Sequence, residues 1–169
     1  MVKKLPFFEK YMINENILQR EIQTKDGIGI KISNDILDDE FCELVPVEDL
    51  IRMRDFDRTI TYKYSREDSE STIERLKQSF LKIGLISPVR IDYYQFDKKV
   101  LMSEGNHRLN AAIDLGLKFY PATVYSLKIE IPESKKDKGL PVQGYKEDEY
   151  GYVPENLKPS DVGIISMSN

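Results

Sequence analysis

Two glycine-closed helical patterns with a strand pair between them constrain the fold of this chain more than any other feature. In SESTIERLKQSFLKIG, Ile73, Leu76, Phe80 and Ile83 recur at three- and four-residue steps, which predicts an amphipathic helix. Ser71 and Glu74 have capping-box spacing at its expected start, and Gly84 suits its end. In LISPVRIDYY, Val89, Ile91 and Tyr93 alternate with Arg90 and Asp92, the period of a half-buried strand. QFDK then reads as a hairpin loop and KVLMS as the returning strand. After SEGNHR, Leu109, Ala112 and Ile113 mark a short helix closed by Gly116, and FYPATVYSL returns as a strand. The expected class is therefore α+β, a small mixed sheet with helices.

Around this centre the pattern weakens. Residues 1–43 carry one short alternation, GIGIKIS at 27–33, which suggests a strand or hairpin in an N-terminal extension. Asp38, Asp39 and Glu40 read as a solvated face. LVPVEDL reads as a strand turning into a polar segment, and RMRDFDRTITYKYS as a long irregular connection. Residues 44–127 form the expected domain. Beyond Leu127 the chain is rich in Pro, Gly and charge, so residues 128–169 are expected to be an extended arm wrapping the domain or partly disordered. Tyr145, Tyr150 and Tyr152 are its expected anchors.

A length of 169 residues with 40% hydrophobic content suits one ordinary domain. No run of about 18 apolar residues appears, and Pro6, Glu9 and Lys10 interrupt the N-terminus, so a soluble, cytoplasmic protein is expected, with no membrane partner. One cysteine, Cys42, and one histidine make a protein-only metal site improbable and a disulfide within the chain impossible; Cys42 reads as a small buried hydrophobe. The net charge of −4 is uneven: residues 1–50 hold 6 basic and 11 acidic side chains, 51–118 hold 13 and 10, and 119–169 hold 6 and 8. An anionic ligand would meet the basic middle.

Within that middle, the stretch SEGNHRLNAA places the single histidine at a glycine turn between strand and helix. Gly105 lets the chain turn tightly, and a helix starting near Asn106 to Arg108 presents unpaired amides at the positive end of its dipole. His107 and Arg108 add a tunable donor and a permanent planar one. Glu104 can orient a water, accept a proton or hold a magnesium ion carried by phosphates. The same residues equally suit an ordinary structural junction, with Arg108 paired to Asp114 or Glu104.

Taken together, SFLKIGLISPVRI (79–91), SEGNHRLNAAIDLG (103–116) and YPATV (120–124), with LVPVEDL as an opening strand, resemble the ParB/sulfiredoxin superfamily over residues 44–127. The resemblance implies a ParB/sulfiredoxin-like fold and a nucleotide site. Its G-x-H-R turn, here Gly105, Asn106, His107 and Arg108, would cradle the phosphates of ATP or CTP with magnesium, and Ser79 would offer a helix hydroxyl. By the same resemblance Glu104 and His107 are the candidate catalytic groups. Sulfiredoxins carry a catalytic cysteine where this chain has Asn106, which speaks against sulfinic acid reduction. Partition proteins continue into a helix-turn-helix reader that the pattern after Leu127 does not offer. The short length suits a phage or mobile-element gene.

Three functions follow as expectations. The first is an NTP-binding enzyme or switch that hydrolyses the nucleotide or transfers its phosphoryl group. The second is a DNA-binding or ParB-like nuclease protein using Arg52, Arg54, Arg58, Lys63 and Arg66, although Asp55, Asp57, Glu67 and Asp68 interrupt that track. The third is a non-catalytic module whose acidic terminal arms meet a partner protein.

Overall fold

The computed structural model describes residues 20–54 and 67–167, with side chains in the second stretch described from Ser71 onward. The strands are β1 (Glu21–Gln23), β2 (Gly29–Lys31), β3 (Glu43–Pro46), β4 (Val89–Tyr94), β5 (Lys99–Glu104), β6 (Phe119–Leu127), β7 (Leu140–Pro141) and β8 (Asn156–Leu157). The helices among the described residues are α1 (Asn34–Asp38), α2 (Val47–Arg52), α3 (Glu67–Lys82) and α4 (Asn106–Leu115), with 3-10 turns at Glu133–Lys135 and Pro159–Val162. The architecture is mixed α+β, as the alternation of periods requires.

Sheet order is β3-β6-β4-β5-β7, with β8 also paired to β6. The expected hairpin is β4 with β5, antiparallel, and β6 lies parallel to β4 on its other side. Parallel neighbours need a crossover, and β5 followed by α4 supplies it. This connection puts the start of α4 at the sheet end where β4 begins. Because β4 is central and covered on both sides, Asp92 and Tyr94 are buried along with Val89, Ile91 and Tyr93, so the half-buried alternation is only partly realised.

Helix α3 begins at Glu67, four residues before the expected cap, so Ser71 and Glu74 lie inside the helix and do not open it. Ile73 and Phe80 are buried, but Ile83 is 62% exposed, because the chain leaves the helix after Lys82. Gly84 does end it, at φ 101°, with its amide bonded to Ser79 O and Phe80 O. The polar half of LVPVEDL is helical: Val47 and Leu50 pack inward from α2.

The N-terminal alternation forms the hairpin β1–β2, and Ser33 caps α1 by accepting from the Ile36 amide at 3.3 Å. Ile22, Ile30, Ile32 and Ile36 enter the main core together with Val89, Ile91, Leu109 and Tyr120. The C-terminal arm enters it too, through Leu157, Val162 and Ile164. Glu43, buried on β3, latches the arm: its carboxylate accepts from the Ser160 amide at 2.7 Å and the Ser160 hydroxyl at 2.8 Å. Of the expected tyrosine anchors, Tyr145 packs on the core and donates its amide to Tyr93 Oη at 3.1 Å. Tyr150 and Tyr152 do not anchor: they are 84% and 65% exposed, on a local turn in which both amides donate to Asp148 Oδ1.

An arm that shares the core should unfold with it. Leu157→Ala is expected to cost about 2–5 kcal/mol in urea unfolding within a single transition, whereas Ile165→Ala, at a site 74% exposed, should stay within about 0.5 kcal/mol.

Candidate functional site

The turn between β5 and α4 is shaped by what precedes it. The β4–β5 register shifts between Arg90 and Ile91, so Arg90 faces Glu104 while Ile91 faces Met102. The extra residue is Ser103, and the irregularity leaves both Ser103 and Glu104 exposed where regular alternation would bury one. Gly105 follows at φ 110°, ψ 19°, the left-handed region. A Cβ there would lie 2.5 Å from Val89 Cγ1, so the turn backbone is pressed directly onto the first residue of β4. Only glycine satisfies both the dihedral and the contact.

Helix α4 then runs for 10 residues, its first internal bond being Leu109 N to Gly105 O at 2.8 Å. The amides of Asn106, His107 and Arg108 therefore have no acceptor within the helix, Gly105 provides no side-chain cap, and the first turn holds no acidic residue. Gly105 through Arg108 are half-buried at this end of the sheet. At the other end Gly116, at φ 73°, donates to Ala112 O and Ile113 O.

Arg108 does not stand clear of the turn. Its Nη2 donates to Pro88 O at 3.2 Å and sits 3.2 Å from the position of a Gly105 Cβ, so the guanidinium braces the turn from the Val89 side. Its Nε is buried with no hydrogen-bond partner. The positive charge reaches Tyr120, where it partly opposes the burial that pushes that phenol well above its usual range. Tyr120 in turn donates to Ser87 O at 3.1 Å. His107 is engaged in interactions of its own. Glu104 makes no ion pair with a described residue, and Asp114 pairs with Lys77 at 3.8 Å. No hydrogen bond among the described residues joins Ser79, on the last turn of α3, to the Gly105–Arg108 turn.

Beneath α4 lies a polar feature that the sequence pattern did not signal. Arg54 is only 4% exposed and donates from Nη2 to Asn110 Oδ1 at 2.7 Å. Burial pulls its guanidinium down to about 10. Asn110 Nδ2 and Asn106 Oδ1 are buried without hydrogen-bond partners. Arg54, 4% exposed and held by Asn110, thus does not present its guanidinium on a surface for nucleic-acid phosphates, as the basic stretch suggested. Arg52 is exposed but paired with Asp49 at 3.2 Å. Arg58, Lys63 and Arg66 lie outside the described residues.

Among the described residues no cluster of three or more His, Cys, Asp or Glu forms a metal site, and no helix is long and apolar enough to cross a membrane. For a magnesium ion brought by phosphates, Glu104 is the one carboxylate at the turn itself, enough for an ion that keeps most of its waters. Cys42 is half-buried, and burial with Asp39 nearby pushes its thiol up to about 12. Comparison with protein-family models, curated proteins and solved structures finds no match to this chain.

Two outcomes follow from this geometry. Gly105→Ala should cost at least about 1–2 kcal/mol from the left-handed backbone alone, read as a lower denaturation midpoint. Cys42 keeps its proton in the folded state to about pH 12, while an unfolded thiol loses it near its ordinary 9.0. Stability should therefore fall as pH rises above about 9, and thiol alkylation at pH 8.5 should be slow until denaturant is added.

Proposed function

We propose that the protein binds a magnesium-bound nucleoside triphosphate, ATP or CTP, at the first turn of α4, and hydrolyses it or passes its terminal phosphoryl group to a small acceptor. One observation carries this reading: the start of a 10-residue helix, opened by a positive-φ glycine that offers no side-chain cap, with no acidic side chain in its first turn. Such an end attracts phosphate through its N-terminal backbone donors and the helix dipole. The resemblance of GNHR and its flanking elements to the ParB/sulfiredoxin turn supports the same ligand class.

In this reading the amides of Asn106 to Arg108 hold phosphate oxygens and fix their position. Arg108, braced on Pro88 O, contributes charge at short range with little left to reorganise. Glu104, exposed beside the strand irregularity, would take the proton of the attacking water or hydroxyl. Glu104 would be the residue nearest to a magnesium ion carried by the phosphates, which would supply charge neutralisation. The work of the protein is positioning and electrostatics, which is what phosphoryl transfer demands.

Calorimetry with ATP, CTP and GTP in magnesium tests the reading. Heat of binding is expected for at least one of them. Arg108→Ala should weaken it roughly 10- to 100-fold, as removal of a charge-assisted contact does, with Arg108→Lys in between. No heat from any triphosphate, or full affinity in Arg108→Ala, would overturn it.

A further inference from the structure

At the sheet end opposite the head of α4, where the parallel strands β4 and β6 finish side by side, lies a groove of about 300 Å³. Gln95, Ser126, Lys128, Tyr152, Val153 and Glu155 line it. Its volume falls at the small end of the range for small-molecule sites, about 300–1,000 Å³. The strand ends supply the first three residues and the C-terminal arm the other three, and Ser126 N ties the two walls by donating to Glu155 O at 2.8 Å. Several of the polar groups are held. Gln95 Nε2 donates to Ser126 Oγ at 2.7 Å, and Tyr125 Oη donates to the Glu155 carboxylate. Tyr125 is itself covered by the Arg90 guanidinium, 4.4 Å from its ring centre, and Arg90 pairs with Asp92 at 3.0 Å. Lys128 makes no ion pair with a described residue, although the Glu155 carboxylate lines the same groove. A positive and a negative charge therefore face one recess without meeting.

We infer that this groove binds a free α-amino acid with an apolar or aromatic side chain. Its carboxylate is met by the Lys128 ammonium and the Ser126 hydroxyl, which are donors, and its ammonium by the Glu155 carboxylate and Gln95 Oε1, which are acceptors. Bonds at both ends are then charge-assisted, about twice as strong as neutral ones. The ligand side chain lies on Val153 and the Tyr152 ring, whose 65% exposure the packing of the arm does not require. A neutral sugar would leave both protein charges without a counter-charge, and a polyphosphate would bring its charge against Glu155. The groove is separate from the turn before α4, so the inference does not depend on the nucleotide reading.

Saturation-transfer NMR of the full chain with a mixture of the common L-amino acids reads which of them binds, and signal is expected from those with apolar or aromatic side chains. The strongest binder is then titrated beside its C-terminal amide and its N-acetyl form, each of which should bind about tenfold more weakly. Lys128→Gln should weaken the free amino acid about tenfold and leave binding of the amide unchanged. Glu155→Gln, which keeps an acceptor for Tyr125, should weaken the free amino acid similarly and leave the N-acetyl form unchanged. Both side chains are exposed, so neither substitution threatens the fold. No signal from any amino acid overturns the inference and leaves the groove to solvent. Equal binding of the acid and its amide overturns it, as does an affinity that survives both substitutions, because the ligand then sits elsewhere.

Discussion

The contact between the Gly105 backbone and Val89 governs how the rest of the molecule is arranged. Val89 begins the central strand, so the turn that abuts it fixes where α4 starts relative to the sheet. With no Cβ between them, the helix can begin directly over the strand end, and Arg108 can reach Pro88 O behind the turn. The same closeness excludes a side-chain cap at Gly105. A structural requirement and an uncapped helix start thus share one cause. The glycine is accounted for by packing alone; the helix start without a side-chain cap is what packing leaves over.

Burial elsewhere is completed from both ends of the chain. The six-stranded sheet and its helices would expose β3 and part of β6 without the N-terminal isoleucines and the C-terminal arm. The arm has little regular structure of its own, yet Leu157 and Val162 are as buried as strand residues. Its backbone groups are met by edge pairing at β7 and β8 and by the bond from Met167 N to Leu44 O. The Glu43 carboxylate serves as acceptor for the 3-10 turn at Ser160, where a buried charge is tolerable because two donors meet it.

The centre of the fold was legible because its periods are clean. Phe80 and Ile73 on one helix face, Val89, Ile91 and Tyr93 on one strand face, and glycines at 84, 105 and 116 each follow from local chemistry. Boundaries were less so. Ser71 and Glu74 have capping spacing, but that spacing also occurs inside a helix, and Ile83 continues the apolar period past the point where the chain turns away. Val47 to Arg52 is too short for periodicity to separate helix from loop. A composition rich in Pro, Gly and charge describes how much an arm exposes and says nothing about the few positions it buries.

The sequence by itself determined the α+β class, the strand–glycine–helix junction and the residues gathered there, because these depend on neighbours a few positions apart. Tertiary structure decided which groups are available at that junction. Arg54 and Asn110 are 56 positions apart, and only the packing of α2 against α4 brings them to 2.7 Å. Arg108 reads as a free guanidinium until the fold sets Pro88 O beside it. Reach, burial and unmet hydrogen bonds are properties of distance in space, and a linear pattern carries them only where distance along the chain is short.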